Sequence, residues 1–213
     1  MAKQSERIDN RADRPRCRKT GRRYYQLEID LSLSRSPWCV RENEAALKKG
    51  FPADSNLPFQ GYVFSEHPKI SFDRKKRRGP LRDVDRITLG IWLVADRVKM
   101  LFEKIDPDGF RFAKVEMDYR NFEEPGPGYW FCEIVRMLDC VDEERSKLTY
   151  YDNVPFKAYR ALIDVKMLPE VVGTAHAFRL KKSPLTDVVD DVIANAVKAE
   201  KIKGFRFVDI QRP

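Results

Sequence analysis

The sequence predicts an α+β fold, a mixed and mainly antiparallel sheet carrying two main helices. Three observations lead there. Short runs of alternating apolar and polar residues recur from Tyr24 to Ile210, the period of half-buried strands. Two longer segments repeat their apolar residues at spacings of three and four, the period of a helix. Each of those segments leads into the same four letters, Gly-Phe-Arg-Phe, at 109–112 and at 204–207.

The elements follow in order. Residues 1–22 hold almost no large apolar side chains and are predicted to be a disordered basic tail ahead of a single α+β domain over 23–213. Tyr24 to Leu31 alternates as a strand, and residues 42–49 are predicted as a short helix stopping at Gly50. A long connection over 51–61 is followed by short strands at Tyr62-Val63-Phe64 and Ile70-Ser71-Phe72. Arg74-Lys75-Lys76-Arg77-Arg78 ahead of Gly79-Pro80 reads as a solvated loop, because like charges repel within a compact element.

Val94 to Ile105 is the first helix, with Val94, Val98, Leu101, Phe102 and Ile105 on one face, and Asp106-Pro107-Asp108-Gly109 stops it. Strands are predicted at 110–117, 129–138 and 148–151, the second of them apolar enough to be buried on both faces. Two more lie at 161–167 and 175–180. The second helix is predicted from an N-cap at Ser183 or Thr186 to about Lys201, with Val188, Val189, Val192, Ile193, Ala196 and Val197 as its stripe. Residues 205–210 form the closing strand.

The two helix–strand units align without a gap at an offset of 95 residues: Asp96 on Asp191, Val98 on Ile193, Phe102 on Val197. This predicts a pseudo-repeated unit in which glycine takes the left-handed conformation after the helix. The phenylalanines then lie on one side of each strand, over their own helix, and Arg111 and Arg206 point away to solvent or an ion pair.

Composition narrows the function classes. The chain has 213 residues, 42% hydrophobic and 35% charged, enough apolar material for a core. Its net charge is +8, but residues 1–23 hold nine Lys/Arg and three acids, so the remainder is near neutral and the high pI argues little for nucleic-acid binding by the body. The longest apolar cluster, Ile91 to Ala95, is far below a membrane span, and no apolar stretch follows the basic N-terminus as in a secretory signal. A cytoplasmic location follows by default. Cys17, Cys39, Cys132 and Cys140 are widely spaced and read as reduced thiols.

No catalytic or cofactor motif emerges. His67 and His176 have no neighbour at metal-ligand spacing, and there is no phosphate loop, dinucleotide fingerprint or nucleophile elbow. The expectation is a non-enzymatic binding protein without cofactor or metal. Its candidate contacts are the acidic loops Glu123-Glu124 and Asp139, Asp142, Glu143 and Glu144, which suit a basic partner, with Tyr129 as an exposed anchor.

Cys140-Val141-Asp142-Glu143-Glu144-Arg145-Ser146 precedes a strand, Phe178-Arg179-Leu180 precedes the last helix, and Gly204-Phe205-Arg206-Phe207 closes the chain. In this order they resemble a family of bacterial immunity proteins from polymorphic toxin systems, formerly a domain of unknown function. The resemblance covers about residues 90–211, with a departure at Val94-Ala95-Asp96, where the family tends to have a serine. It implies a protein that binds a cognate toxin or effector protein and neutralises it by occlusion, without catalysis. The alternative is a nucleic-acid-associated regulatory protein using the basic N-terminal arm. A third class, an enzyme with an unrecognised site, would need His67 or His176 beside Cys132 or an acid in a pocket.

Overall fold

The computed structural model describes residues 21–33, 39–44, 66–76, 80–88, 90–152 and 154–212. The tail up to residue 20, most of the helix expected at 42–49, the connection 51–61, the strand expected at Tyr62–Phe64, and Arg77 and Arg78 lie outside the described residues. The strands are β1 (Tyr24–Ile29), β2 (Cys39–Arg41), β3 (Lys69–Asp73), β4 (Val84–Thr88), β5 (Ile91–Ala95), β6 (Phe110–Lys114) and β7 (Glu116–Arg120). They continue with β8 (Tyr129–Ile134), β9 (Met137–Leu138), β10 (Lys147–Tyr150), β11 (Tyr159–Asp164), β12 (Ala177–Leu180), β13 (Ser183–Asp190) and β14 (Phe205–Asp209). The helices are α1 (Asp96–Ile105), the single turn α2 (Pro169–Val172) and α3 (Asp191–Ala199). The fold is α+β with mainly antiparallel pairing, as the alternating runs predict; β3–β7 and β9–β12 pair parallel.

Two sheets carry the architecture. One runs β14-β1-β13-β12-β9, the other β4-β5-β8-β6. Between them lies a core that both helices share, built from Leu27, Trp92, Val94, Val98, Phe102, Cys132, Val189 and Ile193 among others. A second core covers the opposite face of the first sheet with Phe178, Leu180 and Val188, under the β10–β11 hairpin and α2. A third packs Ile91, Leu93, Tyr129 and Phe131 against β3 of the β2-β3-β7 sheet. This layering explains the unbroken apolar run Ile91-Trp92-Leu93-Val94-Ala95. Side chains alternate across a strand, so odd positions enter one core and even positions the other, and all five are buried.

Burying two faces of a sheet leaves little room for polar side chains, and the most deeply buried ones pair with one another. Arg179 and Asp187, 1% and 2% exposed, pair at 2.7 Å between the two main sheets. Trp92 Nε1 donates to Asp187 and Arg179 Nη2 to the Gly90 carbonyl, at 2.8 and 2.6 Å. A Cβ on Gly90, φ +75°, would stand 2.8 Å from that guanidinium, so glycine is required there.

The structure corrects the start of both helices. The first begins at Asp96, and Val94 belongs to β5. The second begins at Asp191, while 183–190 is a strand paired to β1 and β12. Ser183 and Thr186 bond each other, and the cap is Asp190, whose Oδ1 accepts from the N–H groups of Val192 and Ile193. Val188 and Val189 enter opposite cores. Adjacent valines buried on two faces fit a helical stripe as well as a doubly buried strand, so periodicity alone misassigns them.

The Gly-Phe-Arg-Phe letters also behave less uniformly than expected. Gly204 has φ +122°, but Gly109 does not take the left-handed region. Phe110 stacks on Phe102 of α1 at 4.5 Å. Phe205 packs on Phe102 and Trp92 of the first unit. Arg111 and Arg206 lie outward in ion pairs with Glu133 and Glu28, as their strand positions predict.

Candidate functional site

The acidic segment 139–144 leaves the β9 edge and lies against the second core through buried Cys140 and Val141. Alternation then turns its acids outward to different depths. Asp139 is exposed and pairs loosely with Lys181 and Lys182 at 3.9 and 3.8 Å. Asp142 closes a turn: its Oδ1 accepts from the Arg145 N–H at 3.1 Å, its Oδ2 pairs with Arg145 Nε at 3.0 Å, and its carbonyl takes the Ser146 hydroxyl. Glu144 is exposed.

Glu143 is the most constrained of the group. Its carboxylate accepts from Tyr150 at 3.1 Å and Tyr159 at 2.8 Å, and from the Lys157 and Lys182 ammonium groups. Burial pushes the Glu143 carboxyl up, but these four donors outweigh it and bring it down to about 2. The Tyr159 hydroxyl moves the other way, raised by burial and by its bond to the Glu143 anion. Glu143 therefore acts as a cross-link between the 139–144 segment and the β10–β11 hairpin. The connection 151–158 above that cross-link carries Tyr151 and Phe156, 53% and 47% exposed.

Two expectations need correction. Tyr129 is no surface anchor: it is 2% exposed, its ring packs on Phe72 at 5.7 Å and its hydroxyl donates to the Arg82 carbonyl. An aromatic at the start of a strand that is buried on both faces has nowhere else to go. Glu143 is not an open acid, because its lone pairs are already occupied. Glu123 and Glu124 are exposed, beside Phe122, which packs on the third core; the 139–144 segment belongs to the second. The two acidic loops are thus anchored to different cores.

The groups considered for chemistry are placed as follows. His67 is exposed, and its carbonyl accepts from Asn43. His176 does meet an acid: Nδ1 stands 2.8 Å from Asp190 Oδ2, while its backbone N–H donates to Asp106 at 2.8 Å. Asp190 is fully buried and also holds Arg22 Nε at 2.7 Å and the first turn of α3. That histidine joins the end of α1 to the start of α3. Burial pushes the Cys132 thiol well up and Cys140 to about 12, opposite to what an activated nucleophile needs. Among the described residues no group of three or more His, Cys, Asp or Glu is placed to hold a metal ion, and no helix is long and apolar enough to cross a membrane.

Sequence reasoning missed Arg22. It falls in the segment predicted as a tail, yet its guanidinium reaches Asp190, the Gly173 and Ala175 carbonyls and the face of Tyr24. Its hydrogen-bond partners lie more than 150 residues away, so no local signal exposes them.

The family model of the Immunity protein family (Imm11) matches residues 23–212. The chain belongs to this immunity protein family. The match begins one residue before β1 and so extends well beyond the 90–211 region that carried the resemblance, taking in β1 to β4. The family's immunity function thus attaches to nearly the whole immunity protein. No curated protein matches the chain. At Ala95 α1 starts without a side-chain cap, and Asp96 accepts from Trp130 Nε1 at 2.7 Å.

Proposed function

We propose that this immunity protein binds a cognate toxin and neutralises it by occlusion, without catalysis. The observation that carries the reading is the family match across residues 23–212. The reading treats residues 23–213 as one binding domain. Its contact surface is the exposed acids Asp139 and Glu144 with Tyr151 and Phe156 on the adjoining hairpin, and Glu123 and Glu124 as a separate acidic contact. This choice is supported by chemistry. Exposed tyrosine and phenylalanine bury large area at little entropic cost, and a hairpin pinned by Glu143 has less freedom to lose on binding. Exposed acids beside them would steer a basic partner.

Co-expression with the toxic product of the neighbouring gene tests the reading. Growth should be restored and the two proteins should co-elute as a stable complex. Persisting toxicity with no complex sinks the proposal. In a titration of the toxin's activity, inhibition should be complete at one equivalent; protection at a small fraction of an equivalent would mean turnover rather than occlusion. Tyr151→Ala with Phe156→Ala should weaken the complex by about tenfold or more.

A further inference from the structure

A concave site lies beside the surface assigned above. It is a cleft of about 440 Å³, and its lining includes Gly21, Arg22, Tyr24, Arg145, Lys166 and Gln211. Its three cations come from three separate segments: the residues leading into β1, the turn after Glu144, and the connection that follows β11. No carboxylate is part of the lining among the described residues.

Each cation is paired, and each pair is oriented the same way. Arg22 is bonded to Asp190, Arg145 to Asp142 and Lys166 to Asp164, at 2.7, 3.0 and 2.6 Å. The side-chain exposures are 26% against 0%, 72% against 16%, and 40% against 22%. In every pair the acid sits deeper than its cation. The acids hold the cations in place, Arg22 with further bonds to the Gly173 and Ala175 carbonyls, and the more exposed Arg145 and Lys166 present positive charge to solvent. The floor includes Tyr24, Met167 and Pro169, which gives the site a partly apolar base.

We infer that this cleft is a carboxylate-binding site that captures an acidic segment of the protein partner. The inference rests on the toxin-binding reading and adds a second, oppositely charged contact beside Glu144. Charges of both signs in one interface fix its register as well as its attraction. A nucleic acid is the poorer occupant. Tyr24 is 4% exposed, so the cleft offers no open aromatic face on which bases could stack.

The test uses the full chain and the toxin encoded beside it. Arg145→Glu with Lys166→Glu should weaken the complex at least about 100-fold, since each reversal sets like charges opposite the bound carboxylates. The milder Arg145→Gln with Lys166→Gln should weaken it about tenfold and keeps the result readable if the reversals unfold the protein. Arg22 is left intact, because removing it would strand the buried Asp190. Lys75→Glu with Lys76→Glu, on an exposed turn, should change affinity less than twofold and controls for net charge. If the wild-type chain does not bind the toxin, both readings fall. If it binds and the cleft variants bind equally well, the cleft assignment alone is overturned. A labelled hexaglutamate peptide should bind the wild type and lose binding in both cleft variants. A single-stranded oligonucleotide that binds the cleft more tightly than this peptide would overturn the protein-partner assignment.

Discussion

The segments 91–114 and 183–209 both run strand, helix, strand, and both enter the last strand through Gly-Phe-Arg-Phe, yet they are fastened at opposite ends. In the first, α1 begins uncapped at Ala95 and is fastened at its end. Asp106 binds Arg136 through both oxygens at 2.7 and 2.9 Å and accepts the N–H groups of His176 and Ala177. In the second, α3 is fastened at its start by the buried Asp190, which caps the helix and holds Arg22 and His176. Similar letters at matched offsets thus mark similar local geometry but not similar anchoring. The anchoring is decided by which partner the fold brings within reach, and here one residue, His176, touches both aspartates.

Removing the anchors should give the largest effect and separate the two units. Asp190→Ala strands a guanidinium and two helix N–H groups and should cost about 4 kcal/mol in urea unfolding. Asp106→Ala should cost about 3 kcal/mol, because it strands a guanidinium and two N–H groups but, unlike Asp190→Ala, no imidazole and no helix cap. An Asp106 variant at least as costly as the Asp190 variant would reverse the comparison.

The glycines should differ next. A Cβ at Gly204 would meet the Val84 carbonyl oxygen at 2.7 Å on a backbone already at φ +122°, so Gly204→Ala should cost about 3 kcal/mol. At Gly109 the nearest atoms to an added carbon, from 2.7 Å, belong to the bonded Asp106 side chain, but the backbone is outside the left-handed region, so Gly109→Ala should cost about 2 kcal/mol, less than at Gly204. Equal costs would mean that the shared letters matter more than their surroundings.

Acid should distinguish the first unit. Burial raises the Asp106 carboxyl, but the bonds from Arg136, His176 and Ala177 win and hold it below its ordinary 3.8. A depressed folded value means that the stability it contributes is present above about pH 3.8 and is lost as pH falls below it. Asp106→Asn should therefore flatten the acid limb of stability against pH, measured by urea unfolding between pH 5 and 3. An unchanged limb would show that Asp106 is not a source of acid sensitivity.

The outward arginines should matter least. Arg206 is 63% exposed in a long ion pair with the part-exposed Glu28, so its change to alanine should fall within about 0.5 kcal/mol in thermal or urea unfolding, whereas Arg111→Ala should cost about 1 kcal/mol because its partner Glu133 is only 5% exposed. A larger loss at either would mean that the arginine of that unit carries structure.

Of the candidate surface, the acids Asp139, Asp142, Glu143 and Glu144 were legible as a segment, because a run of carboxylates between apolar stretches must reach polar surroundings. Their division into exposed, turn-forming and cross-linking roles was not. Glu143 meets donors 7, 14, 16 and 39 residues away, and only chain packing sets those distances. The cleft was invisible for the same reason, its cations coming from three segments.

The sequence by itself determined what depends on a residue and its near neighbours. That includes the α+β class, the strands at 24–29, 177–180 and 205–209, the stop of α1 at Asp106-Pro107, and the immunity family. Tertiary structure alone decided whether 183–190 was helix or strand, that Tyr129 is buried, that Arg22 belongs to the fold, and that His176 ties two aspartates together. The physical reason is reach. Side-chain period and turn chemistry act over a few residues, whereas burial on two faces and the pairing of buried charges depend on strands that come together from opposite ends of the chain.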